Sequence, residues 1–127
     1  MNEREFLGEL QTLAGLRSRE VARRWALAVV GAVADLAPNS ETRRQFITQL
    51  PQFLKAPLQA RAPRGLLMDQ NAVIQHVGAA LDIHARDAQQ AMVAVWKVMR
   101  KAVSTGEIAD FEARMPPDVA ALLRSAA

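Results

Sequence analysis

Ten consecutive residues, Trp25 to Ala34, carry no polar side chain. A helix through them is apolar on every side, so it must be surrounded by other apolar surfaces. A membrane cannot be that surround, because a spanning helix needs about 20 such residues. The chain itself must therefore supply elements that enclose a central helix. Half of its 127 residues are apolar, only 5% are aromatic, and tyrosine and cysteine are absent. Rich in alanine, leucine and valine, it favours helices packed closely through small side chains. Its length fits one domain, large enough to bury a core without covalent staples. The fold class expected is all-α: a compact multi-helix bundle forming a single domain over 1–127.

The helices can be read off in order. Phe6, Leu7, Leu10 and Leu13 give one apolar face to a helix from Glu3 to Ala14, and Gly15 suits a left-handed stop. Ser18 can cap the second helix, which holds the apolar run and extends to about Leu36 before Pro38 breaks it. Ser40 or Asn39 caps a third, Glu41 to Leu50, with Phe46, Ile47 and Leu50 inward. Pro51 opens a short fourth, its fixed φ already helical. Pro57, Pro63 and Gly65 punctuate the stretch Ala56 to Met68 and mark a linker. Beyond it, Asp69 caps a helix with Val73, Ile74, Val77 and Leu81 inward. A longer helix runs from about Ala85 to Val103 with Ala88, Met92, Val95, Trp96 and Met99 on its buried face. Ser104 and Glu107 have the spacing of a capping box for the next helix, which carries Ile108, Phe111 and Met115. Pro116 and Pro117 open the last, with Val119, Leu122 and Leu123 on one face.

The second set of four resembles the first. Phe6-Leu7 matches Val73-Ile74 at an offset of 67, and the same offset pairs Trp25 with Met92 and Val29 with Trp96. After a two-residue deletion, Phe46 matches Phe111 and Leu50-Pro51 matches Met115-Pro116 at 65. Two pseudo-repeats of about four helices each are expected, over 3–58 and 69–126, joined by a linker over 59–68.

The junctions carry a family resemblance. Gln49-Leu50-Pro51-Gln52-Phe53-Leu54-Lys55 and Gly106-Glu107-Ile108-Ala109-Asp110-Phe111-Glu112-Ala113-Arg114-Met115-Pro116 resemble the signature of an uncharacterised bacterial family, domain of unknown function 2267. The resemblance runs from Phe6 to Leu123. It implies an all-helical fold with the unit occurring twice, and it transfers no catalytic residue. The sequence departs from the family in the linker, where other members often have aromatics and this chain has Pro57-Leu58-Gln59-Ala60-Arg61-Ala62-Pro63-Arg64.

Candidate chemistry is sparse. His84 and Asp87 have the i, i+3 spacing of helical metal ligands, but no third ligand lies nearby and His76 is eight residues away, so no metal site is expected. Glu5 with Glu9, and Glu107 with Asp110, share helix faces among exposed polar residues, where carboxylates are ordinary. Asp35, near the end of the central helix, is poorly placed against the helix dipole and reads as the partner of an arginine from a neighbouring helix. Met68, Met92, Met99 and Met115 suit plain core better than the lining of a cleft. Without cysteine there is no disulfide, thiolate nucleophile or cysteine-ligated metal. No nucleophile elbow and no phosphate loop occurs. Neither a cofactor nor a small-molecule substrate is expected.

Charge is unevenly shared: the net +3 divides into +4 over residues 1–65 and −1 over 66–127. Arg17, Arg19, Arg23 and Arg24 open the second helix, Arg43 and Arg44 the third, and Arg61 and Arg64 lie in the linker stretch. If they converge, these eight form a surface for a partner or an anion. Against nucleic acid, no aromatic is interleaved for stacking, and Pro51 ends a recognition-helix reading of Arg43-Arg44 early. The first ten residues lack the apolar stretch of a secretory signal, which with the missing cysteines suggests a cytoplasmic protein. The reading is a non-enzymatic protein–protein interaction or scaffold domain, able to self-associate, with nucleic-acid or polyanion binding through the basic first half as the alternative.

Overall fold

A computed structural model describes residues 1–61 and 68–125 and contains eight helices among them. They are α1 (Glu3–Ala14), α2 (Arg19–Ala34), α3 (Ser40–Thr48), α4 (Gln52–Ala60), α5 (Gln70–Leu81), α6 (Ala85–Ala102), α7 (Thr105–Arg114) and α8 (Pro117–Arg124). No strand occurs among the described residues.

Five of the eight helices start where a side chain accepts from one of their first N–H groups. Asn2, Ser18, Asn39, Asp69 and Ser104 each accept from a backbone N–H of the following first turn. Asn39, not Ser40, caps α3. Pro51 and Pro116 stand immediately before α4 and α8. The box expected at Ser104 is half made: Ser104 accepts from the Glu107 N–H, with no return bond from the Glu107 side chain. The complete box lies at α1, where Asn2 and Glu5 bond reciprocally.

α1, α2, α5 and α6 form the central layer. α1 packs on α2 and α6, α5 packs on α6 and α2, and α2 packs on α6. The remaining helices close the ends: α4 covers α2 and α3, α8 covers α5, α6 and α7, and α3 meets α7. α2 is enclosed as its composition demands, with Val29 to Leu36 all buried and only Trp25, Leu27 and Ala28 partly exposed in the apolar run. On α6 the face Ala88, Ala91, Met92, Val95, Trp96 and Met99 is completely buried. Met115 is buried too and Met68 partly, so Met68, Met92, Met99 and Met115 belong to the core. The aromatics gather where α3, α6 and α7 meet: Phe46 stacks on Phe111 with ring centroids 3.8 Å apart, and Trp96 lies 6.1 Å from Phe46.

Three expectations need correction. Leu13 is 46% exposed instead of inward, because at the last turn of α1 the apolar face has rotated off the core covered by Phe6, Leu7 and Leu10. The linker begins later than its prolines suggest: α4 runs through Pro57 to Ala60, two residues into the expected linker. Burial of Leu54 and Leu58 on one face, four residues apart, outweighs the hydrogen bond Pro57 cannot donate. The Leu58 carbonyl, orphaned in the last turn, accepts from Arg43. Lastly, burial along the two long helices corresponds at a spacing of 66 residues and not of 67. The caps Ser18 and His84 lie 66 apart, and at that spacing the buried Ala22, Ala26, Val29, Val30 and Val33 correspond in sequence to the buried Ala88, Met92, Val95, Trp96 and Met99. Trp25 is half-buried, whereas Met92, 67 residues on, is completely buried. The remainder of the linker, with Arg64, lies outside the described residues.

Candidate functional site

Among the described residues, the arginines that line depressions fall into two groups. α2 separates them: Arg19 and Arg23 lie at its start, and Asp35, which two others grip, lies at its end. Twelve residues of helix between Arg23 and Asp35 span about 18 Å. At the first end, Arg19, Arg23 and Arg4 surround a shallow depression with Glu3 and Glu20, and Arg23 pairs with Glu3. Arg17 and Arg24 are exposed. At the second end, Arg43, Arg44 and Arg61 line one cavity of about 660 Å³ between α3 and α4, with Ser40 and Gln59. Arg64 falls outside the described residues.

Asp35 explains the second cluster. Its carboxylate is completely buried; Oδ1 accepts from Arg43 Nε at 3.2 Å and Oδ2 from Arg61 Nη2 at 2.8 Å. Arg61 also donates to the Gly31 carbonyl at 3.2 Å. Gly31 is needed for that approach, since a Cβ there would stand 3.3 Å from the guanidinium and from Leu58. Arg43 and Arg61 are thus partly spent on structure, and only Arg44 of the three is fully exposed.

A second buried carboxylate escaped sequence reasoning. Glu112 accepts from Trp96 Nε1 at 3.1 Å and Arg100 at 3.2 Å, and lies 3.7 Å from Arg124, tying α6, α7 and α8 together. The usable signal was Trp96, whose indole N–H in an apolar helix requires an acceptor. The other candidates disperse. Glu107 and Asp110 are exposed, Glu5 caps α1, and Glu9 pairs with Lys101 at 3.2 Å. His84 occupies the cap position of α6 without a cap hydrogen bond. No group of three metal-ligating side chains converges among the described residues, and no helix there is long and apolar enough to cross a membrane.

The open surface lies over α6. Arg86, Gln90, Val93, Lys97 and Lys101 follow one another along its outer face, bordered by α1 and by Ser125 just after α8. Two adjoining hollows, about 460 and 530 Å³, share Leu13 and Lys97 and form one groove. Gly8, with no heavy atom near where its Cβ would stand, widens the groove at α1. Its apolar strip is Leu13, Val93 and Ala94; its cations are Arg86, Lys97 and Lys101 against the single carboxylate of Glu9.

The profile of the family described as "Uncharacterized conserved protein (DUF2267)" matches residues 3–122. The chain belongs to the DUF2267 family. The match spans all of α1 to α7 and most of α8, so the groove and both carboxylate clusters fall within the DUF2267 region. No curated protein matches the chain.

Proposed function

We propose that this DUF2267 domain is a non-enzymatic protein-interaction module that seats an acidic amphipathic helix of a partner protein in the groove over α6. The observation that carries this is Leu13: a large apolar side chain, 46% exposed, beside an apolar strip and three cations. A partner helix would place an apolar face on Leu13, Val93 and Ala94 and carboxylates beside Arg86, Lys97 and Lys101. Attraction of those opposite charges would set its direction and raise the association rate. The non-enzymatic reading is supported by the buried carboxylates, both of which are engaged by arginine or indole donors of the protein itself. The polyanion alternative needs a continuous basic strip, and the separation of the arginines along α2 counts against it.

Fluorescence anisotropy with a labelled Leu/Glu helical peptide of about 16 residues, long enough to hold a helix, tests the reading. Binding is expected, with a Leu/Lys peptide failing to bind. Leu13→Glu should weaken the contact at least about tenfold, roughly 1.4 kcal/mol. Equal binding by Leu13→Glu would overturn the proposal. Concentration-dependent light scattering that Leu13→Glu abolishes would instead assign the groove to a second copy of this chain. A salt-titrated shift assay with DNA and RNA settles the alternative: binding with a steep salt slope would favour it.

We also infer that the bundle consists of two diverged copies of one four-helix unit. Its support is positional. The caps preceding α1 and α5, α2 and α6, α3 and α7, and α4 and α8 are 67, 66, 65 and 65 residues apart. Gly15 and Asp82, also 67 apart, both end their helices in the left-handed region, followed by the same bond: Leu16 N–H to Gln11 and Ile83 N–H to Gly78. Phe46 and Phe111, equivalent at 65, stack on each other, as equivalent residues do beside a two-fold axis.

A further inference from the structure

We propose that the cavity between α3 and α4 binds the phosphate-monoester group of a small molecule. Three guanidinium groups, Arg43, Arg44 and Arg61, line it, and among the described residues the only carboxylate they contact is Asp35. Three cations against one anion leave a local charge of +2, which a phosphate monoester dianion matches. Asp35 serves as the orienting group: it holds Arg43 by Nε and Arg61 by Nη2, fixing two long side chains that would otherwise be costly to order. Those bonds leave donors over. Arg61 Nε is buried and has no acceptor among the described residues. A buried unsatisfied N–H on a charged group is costly, so the Arg61 guanidinium is not fully served by its protein partners. The Ser40 hydroxyl and the Gln59 amide at the same cavity supply neutral donors. Its volume of about 660 Å³ lies within the usual range for small-ligand sites, roughly 300–1,000 Å³. Fixed guanidinium forks recognise tetrahedral oxyanions better than point charges do.

The cavity shares no lining residue with the groove over α6, so this inference stands or falls independently of the helix-docking reading. At the positions equivalent to Asp35 and Arg43, 66 and 65 residues on, the second half has Lys101 and Ile108, so the cluster belongs to the first half alone.

Calorimetric titration of the full chain with phenyl phosphate, inorganic phosphate and benzoate tests this. Phenyl phosphate should bind and benzoate should bind at least tenfold more weakly. Affinity should fall several-fold from pH 7.5 to pH 5, as the monoester, with a second pKa of about 6, loses one charge. Arg44→Gln, a change at an exposed side chain outside the Asp35 pair, should weaken phenyl phosphate about tenfold with unchanged thermal stability. Saturation with phenyl phosphate should raise the melting temperature of the wild-type chain. Benzoate binding as tightly as phenyl phosphate, or Arg44→Gln binding unchanged, would overturn the proposal. So would displacement of phenyl phosphate by a phosphodiester oligonucleotide at equal charge concentration, which would assign the arginines to nucleic acid.

Discussion

Asp35 holds two guanidinium groups with one carboxylate, and its loss should be felt more than that of any exposed arginine. Asp35→Ala leaves Arg43, with its side chain 11% exposed, facing a buried hole, and is expected to lower stability by about 2–4 kcal/mol. The range stays below that of a fully buried pair because Arg61, with its side chain 32% exposed, can turn to water. Urea denaturation reads the loss as a shifted midpoint with an unchanged slope. Arg44→Ala, by contrast, should fall within about 0.5 kcal/mol of the wild type. The arginine pairing of Asp35 was legible in the sequence, because an aspartate at the end of an apolar helix opposes the dipole and needs a cation. Glu112 was not. It follows Phe111 in a helix with exposed carboxylates, and nothing in its neighbours marks it as the one that turns inward to Trp96.

Among the elements, the two left-handed stops give predictions of opposite sign. Gly15 sits at φ 65° and Asp82 at φ 55°. Gly15→Ala puts a Cβ into that region and should cost about 1 kcal/mol. Asp82→Gly removes one and should gain roughly 0.5–1 kcal/mol. Thermal unfolding of the two variants checks both; the same sign for both would contradict the cap assignment. Helix starts were legible because a capping side chain or a proline is a local signal. The extent of α4 was not, because Pro57 is a local stop signal overruled by distant contacts: Leu58 against the core and Arg43 on its carbonyl. Leu13 failed for a related reason. A heptad position places it on the apolar face of α1, but at the last turn that face has rotated so that Ala14, not Leu13, packs against the core.

On the scale of the whole molecule, the packing crosses between the halves. α1 packs on α6 and α2 on α5, so neither half encloses its own long helix. Phe46 and Phe111 join the halves at the other end of the bundle. A double-mutant cycle on these two phenylalanines should return a coupling of about 0.5–1.5 kcal/mol beyond their separate losses. This arrangement follows from the run Trp25 to Ala34, which required enclosure by other helices. Which helices would enclose it, and which face of α6 would stay open, depends on long-range packing that no local pattern records. That open face is the centre of the functional account. Its most direct test is a ¹H–¹⁵N NMR titration of the labelled chain with the acidic helical peptide. The account predicts shifts concentrated at Gly8, Leu13, Val93, Ala94 and Lys97. Shifts confined to Arg43, Arg44 and Arg61, or to the start of α2, with the groove unmoved, would contradict it.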